Sequence, residues 1–306
     1  MKLITLATAP ATQGLGAALL HRHRHCPHHS CWIDNSITLP RRSVRLRKRG
    51  PFATLASSSL QLELPLLPFP KDQVLVPSEA KKLHLYEARY LALLEESLYN
   101  KKNMFVHFVL DPIAVNDTFT EASFAARYAC LVTIEKVERL DVGALVFIRG
   151  IGRVKIIRFE QEEPFLRGAV MPTKDNESTS ATELNSKVLE LQEALHNLNS
   201  LEIKLKAPEE ALLQTQTANS LKWAEKTPSL DCDEAFVPCL SERISFAAFQ
   251  PVSGSSQSEL LKLNMQKLSA MDSKDTLQRL EKSMELVRSN ISLVAAKLAL
   301  QSIKMQ

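Results

Sequence analysis

The chain has 306 residues, 45% hydrophobic and 24% charged, with 38 basic against 34 acidic side chains. That length accommodates two domains of ordinary size with buried cores, and no apolar run reaches the roughly 18 residues that a membrane-spanning helix requires. The charge is unevenly placed: residues 1–56 hold nine Lys or Arg against the single acid Asp34, leaving 29 basic and 33 acidic residues in the rest of the chain.

An Arg-rich, Ser-containing, acid-poor start is the pattern of an organelle transit peptide, so residues 1–58 are expected to be a disordered leader and are set apart from the fold. A secretory signal is not expected, because the apolar segment 15–20 is short and runs into basic residues. The sequence ATLASSS at 53–59 suits a plastid cleavage region, which favours the chloroplast stroma, with the mitochondrion as the alternative. Within the leader, HRHRHCPHHSC at 21–31 carries five histidines and two cysteines, but its cysteines are C-x4-C and no C-x2-C pair completes the paired spacing of a tetrahedral zinc site. No metal site and no cofactor is expected from it.

The fold opens with Leu64, Leu66 and Leu67 around Pro65 and Pro68. Proline in a strand is confined to edges, first positions or bulges, so an edge or opening strand is expected. Val74 and Val76 precede Pro77, which biases its predecessor to extended backbone. Leu83 and Leu85 alternate with His84 and Tyr86 as a half-buried strand does. From Glu87 the period changes: Tyr90, Leu91, Leu94 and Leu98 recur at helical spacing, with Glu87 expected in the first turn, where the helix dipole favours an acid.

Residues 104–110 (MFVHFVL) read as a buried strand ended by Asp111-Pro112, and 126–140 as a long alternating strand. A turn at 140–143 leads to 144–149, Gly150-Ile151-Gly152 is expected to kink the chain into 154–159, and 165–171 closes a meander. Short strands with glycine at the corners suit a small barrel. Cys130, inside the long strand, reads as a small hydrophobe.

Polar residues 172–182 read as a linker. Beyond them Leu184, Val188, Leu191, Leu195 and Leu198 mark an amphipathic helix that runs until Pro208. A second helix is expected over 209–225, then a loop over 228–238 in which Cys232 and Cys239 are either free thiols or a regulatory disulfide. A short helix over 241–249 follows, and Ser256 with Glu259 has the spacing of a capping box for a fourth. Leu277, Leu280, Met284, Val287, Ile291, Val294 and Leu298 form a 3-4 seam that reads as bundle core in preference to an intermolecular coiled coil.

The Tyr86, Glu87, Arg89, Tyr90 pattern, followed by Glu138, Arg139, Leu140, Arg149, Gly150, Arg153, Pro164, Phe165, Leu166 and Ala169, resembles the N-terminal, substrate-recognition domain of the Lon protease. The likeness is specific over 64–171, is nearest to stand-alone plant members, and departs at Pro77-Ser78, where many members carry Pro-Gly. It implies an α+β fold: a PUA-like β pseudobarrel with one helix over 62–175, a linker at 176–182 and a helical bundle over 183–306. The same likeness implies a non-catalytic module that binds polypeptide substrates, or a protease or chaperone partner, in plastid protein quality control.

The residues agree with a non-enzyme. No G-x-x-x-x-G-K-[ST] loop is present, Gly150-x-Gly152 reads as a turn between strands, and the chain is expected to end before an ATPase or a Ser-Lys peptidase could begin. His84, His107 and His196 fall on separate elements, outside any H-E-x-x-H or G-x-S-x-G setting, and Glu95-Glu96 and Glu162-Glu163 read as solvated. The candidate partner-binding residues are Tyr86, Glu87, Arg89, Tyr90, Arg149 and Arg153, with the first four equally able to clamp the helix onto the barrel. Arg149, Arg153, Lys155, Arg158 and Arg167 raise an RNA-binding alternative, against which stand the acidic balance outside the leader and the lack of an aromatic RNA-binding motif. A stand-alone hydrolase is the remaining alternative, and oligomerisation is left open.

Overall fold

The computed structural model describes residues 60–113, 123–176, 180–205, 215–226 and 232–304; the leader with its histidine tract, and residues 209–214 of the expected second helix, lie outside them. The chain is α+β, with six strands among the described residues before the long helices. The first strand, β1 (Leu62–Phe69), is buried from Leu64 onward on both faces, as its unbroken apolar run requires.

β1 changes partner halfway. Leu62 to Pro65 pair antiparallel with β6 (Arg167–Pro172), whereas Leu66 to Phe69 pair parallel with β3 (Met104–Ile113). Of the edge or opening strand expected, β1 is the opening strand and not an edge, since it has neighbours on both sides, and its prolines are tolerated because each half is laddered on one side only. β3 also continues through Asp111-Pro112, where an end was expected, pairing with β4 (Ser123–Arg139) as far as Ile113.

The strand order is β2-β5-β4-β3-β1-β6 with a further β5–β6 pairing, where β2 is Ala80–Leu85 and β5 is Ala144–Gln161. Five strands thus close on themselves, and β2 lies along the first half of β5. The helix α1 (Ala88–Tyr99) follows β2 and packs Tyr90, Leu93 and Leu94 against Leu67, Phe69, Leu83 and Leu85. Glu87 is its N-cap residue, one position before the expected first turn.

Gly150-Ile151-Gly152 does not separate two strands. β5 is continuous, and the jump from Leu131↔Gly152 to Val132↔Gly150 makes Ile151 the extra residue of a bulge. The glycines serve close approach: a Cβ on Gly150 would stand 2.4 Å from the Val76 carbonyl, and one on Gly152 2.6 Å from that of Phe236. The turn at 140–143 forms as expected, with Gly143 at φ +84°.

The helices are α2 (Ala181–Leu205), α3 (Gln216–Glu225), α4 (Leu240–Ala247), α5 (Gln257–Asp272) and α6 (Thr276–Lys304). α3 starts later than expected because Thr215 caps it, its hydroxyl accepting from the Ala218 amide. The Ser256–Glu259 capping box forms at α5. Leu280, Val287 and Val294 of the α6 seam are buried against Leu191, Leu195 and Leu198 of α2, as bundle core. The expected loop after α3 contains a 3-10 turn, Glu234–Phe236, which seats Phe236 in the barrel's own apolar cluster.

The helices and the barrel share a core. Val74, Val76, Val109 and Cys130 from the β-part pack with Phe246, Phe249, Leu263 and Leu268 from α4, α5 and the segment between them. Cys130 behaves as the small hydrophobe expected, with burial pushing its thiol pKa far up. Cys232 and Cys239 are not joined in a disulfide.

Candidate functional site

Where β2 ends, Tyr86 turns the chain into α1. Tyr86 is 42% exposed, and next to it the β4–β5 turn brings Leu140 and Val142, at 45% and 69% exposure. The turn is held there by His84, whose Nε2 lies 2.9 Å from the Val142 carbonyl, and by Gly143, where a Cβ would collide with the Leu85 carbonyl at 2.2 Å. The rings of His84 and Tyr86 meet at 5.6 Å. The result is an exposed patch of one aromatic and two aliphatic side chains on a rigid corner of the sheet.

The other members of the YEARY motif support this patch from behind. Arg89 pairs with Glu87 at 2.7 Å and lies over the Tyr90 ring at 4.7 Å. Tyr90 is buried in the first core cluster, and that burial raises its hydroxyl pKa. Glu87, Arg89 and Tyr90 therefore clamp α1, while Tyr86 faces outward. Sequence reasoning did not count Leu140 and Val142 among the candidate binding residues, although Leu140 belongs to the family-like pattern and both are apolar residues in a tight turn.

Arg149 and Arg153 lie elsewhere. Along β5 the Tyr86 end pairs at Leu85↔Ala144 and Arg149 pairs with Ala80, a separation of about 17 Å at the usual strand rise. Arg149 is 4% exposed and donates to Glu135, to the Ser78 carbonyl and to Asn219 of α3. Arg153, 3% exposed, donates to Glu242 of α4 at 2.8 Å, to Asp175 and to the carbonyls of Met271 and Ser273. The structure thus places both arginines inside, as fasteners between the barrel and the helices. Arg167 is likewise engaged by Glu96 at 3.0 Å, so Glu96 is not the solvated carboxylate expected, and the late-strand cations do not form an open basic stripe.

Asp175 gathers that network. It accepts from Arg153, from Arg279 of α6 and from the Thr276 hydroxyl, and Asn176 donates its amide to the Lys274 carbonyl. The expected linker is pinned at these two residues because two buried guanidinium groups need an acid between them. Burial pushes the Asp175 pKa up, but the Arg279 and Thr276 hydrogen bonds and the two guanidinium charges outweigh it and leave it below the ordinary carboxylate range. Glu242 has the opposite balance: burial wins over Arg153 and raises it. A second buried ion pair, Glu79–Lys267 at 2.6 Å, ties the loop before β2 to α5.

The three histidines occupy separate environments. His107 is fully buried, stacked on Phe69 at 3.8 Å with neither ring nitrogen hydrogen-bonded, and burial holds its pKa well below the ordinary value. His84 holds the β4–β5 turn, and His196 lies on α2, 3.7 Å from Glu225. Among the described residues no group of three or more His, Cys, Asp or Glu is placed to hold a metal ion. No described helix is long and apolar enough to cross a membrane.

The family model of the ATP-dependent protease La (LON) substrate-binding domain matches residues 63–300. Among solved structures, the chain is similar to the N-terminal domain of the Lon protease of the Mycobacterium avium complex, at 15% identity and a TM-score of 0.43, covering 74% of this chain and 98% of that one. It is also similar to a Lon N-terminal domain protein from Xanthomonas campestris, at 18% identity and a TM-score of 0.39, covering 73% and 98%. No curated protein gives a significant match.

Proposed function

Since the chain belongs to the family of the Lon protease substrate-binding domain, we propose that it is a recognition module that captures polypeptides and does no chemistry of its own. The observation that carries this reading is the family match, which spans both the barrel and the helices. The Tyr86, Leu140 and Val142 patch supports it, because exposed apolar side chains on a fixed corner suit capture of apolar segments of an unfolded chain. The separate placement of His84, His107 and His196, with His107 sealed in the core, supports the non-catalytic part.

The finer features belong to the same proposal. The Arg-rich start supports import, with the chloroplast stroma ahead of the mitochondrion and a role in protein quality control there. Closure of five strands supports the PUA-like comparison. The RNA-binding alternative loses its main support, because Arg149 and Arg153 are buried and bonded inside the protein.

The test uses the full chain and fluorescein-labelled, reduced and carboxymethylated α-lactalbumin, which cannot refold. Saturable binding by fluorescence anisotropy is expected, weakened about tenfold by the pair Tyr86→Ala and Val142→Ser, equivalent to about 1.4 kcal/mol. Absence of binding by the unaltered chain would overturn the reading, and import assays with isolated plastids and mitochondria test the destination.

A further inference from the structure

The helices α5 and α6 are joined by a turn of three residues, 273–275, yet they diverge from it. α5 is drawn onto the β-part by Lys267–Glu79, by the Tyr128 hydroxyl donating to Asp272 and by Asn264 donating to the Lys71 carbonyl. α6 is drawn the other way, its seam packed on α2. Between them lies a groove of about 460 Å³, within the size range of ligand sites. Its apolar lining comes from Phe249, Val252, Leu263, Leu286 and Leu293, and it lies far along the chain from the Tyr86 corner.

The floor of the groove is built in advance. The segment between α4 and α5 is fixed by Ser253, whose amide and hydroxyl both donate to Glu202 of α2, and by Lys297 of α6, which donates to the Gly254 carbonyl at 2.9 Å. At one end Lys282 reaches the Ser269 hydroxyl across the groove at 3.5 Å. Such preorganisation reduces the ordering cost of binding.

Two observations identify the occupant. Gln250 lines the groove, is 3% exposed, and its Nε2 donor has no hydrogen-bond partner, so it calls for a carbonyl oxygen from elsewhere. The charged lining residues are two lysines, Lys262 and Lys282, and two glutamates, Glu259 and Glu285, with Glu259 already engaged by the Ser256 amide. That balance suits a neutral occupant and disfavours nucleic acid or an anionic lipid headgroup. A polypeptide segment supplies both requirements, apolar side chains for the walls and main-chain carbonyl acceptors for Gln250.

We propose that the α5–α6 groove seats a short, uncharged, apolar polypeptide segment, with the Gln250 amide donating to one of its main-chain carbonyls. The walls run from about residue 259 to 269 on α5, a length of about 15 Å at the helical rise, which holds about four or five residues of extended chain. The inference rests on the polypeptide-recognition reading and names a second contact surface for it.

The probe is a fluorescein-labelled, terminally blocked octapeptide of leucine, alanine and serine, added to the full chain. Ser289→Trp and Ser269→Trp each put a large side chain into the groove from exposed helix positions. Each is expected to weaken octapeptide binding at least tenfold, while Tyr99→Ser, at an exposed position on α1, leaves it within twofold, with folding of every variant checked by circular dichroism. In the unaltered chain the Gln250 side-chain amide resonances are expected to shift on titration. Unchanged affinity in both tryptophan variants, or unmoved Gln250 resonances, overturns the groove. Binding of unfolded α-lactalbumin without any binding of the octapeptide also overturns the groove and leaves the recognition reading standing. Failure of both probes overturns the two together.

Discussion

At the scale of single residues the fold depends on polar groups that have no exit to water. Asp175 stands between Arg153 and Arg279, which are 3% and 0% exposed. Removing one partner of such a buried pair strands the opposite charge. Asp175→Asn, which keeps the shape and loses the charge, is expected to cost about 3–5 kcal/mol in urea unfolding. His107 gives a pH-dependent prediction. Burial holds its folded pKa below the ordinary value of 6.5, so between that value and the lower folded one the unfolded chain binds a proton that the folded chain refuses. Stability therefore falls as pH falls below about 6.5, and between pH 7.5 and 5.5 the unaltered chain is expected to lose about 1.4 kcal/mol more than His107→Phe. The sequence showed that His107 sits in an apolar strand, but not that Phe69 would take its ring face while both nitrogens stayed unbonded.

Among the elements, what was legible is what is local. Ser256 and Glu259 are three residues apart and announced the start of α5, with the serine hydroxyl receiving the Glu259 amide at 3.3 Å and the carboxylate receiving the Ser256 amide at 2.6 Å. Ser256→Ala is expected to lower stability by about 1 kcal/mol in thermal unfolding, and because α5 forms one wall of the proposed groove it also weakens octapeptide binding. The α6 seam was legible for the same reason, its period being written within one helix. A second buried stripe on that helix was not: Thr276, Arg279, Ser283 and Leu286 also recur at helical spacing, but three of the four are polar, so no apolar period marks them. They are buried because Arg279 meets Asp175 and Ser245, and the Ser283 hydroxyl meets the Ser245 carbonyl at 2.7 Å. The bulge at Ile151 was hidden likewise, since its glycines answer to the carbonyls of Val76 and Phe236, residues remote in sequence.

For the whole molecule, the barrel and the helices share an apolar cluster and a buried charge network, so they are expected to unfold together. Trp223 of α3 lies in the bundle cluster and reports on the helices. Its fluorescence and the β-part's circular dichroism are expected to share one urea midpoint, whereas Asp175→Asn is expected to separate them. The sequence divided the chain at a polar stretch; contacts that join residues tens of positions apart, such as Arg153 with Glu242, leave no periodic trace there. The partner exchange within β1 carries a consequence for how the chain is made. Leu62 ladders with Val170, more than a hundred residues further along, while Leu66 waits for Val106. Contacts of such long range slow folding into the millisecond-to-second range. Until β3 and then β6 have arrived, the run LPLLPF lacks its strand partners, so a nascent copy of this protein displays the kind of uncharged apolar segment that the proposed groove would seat.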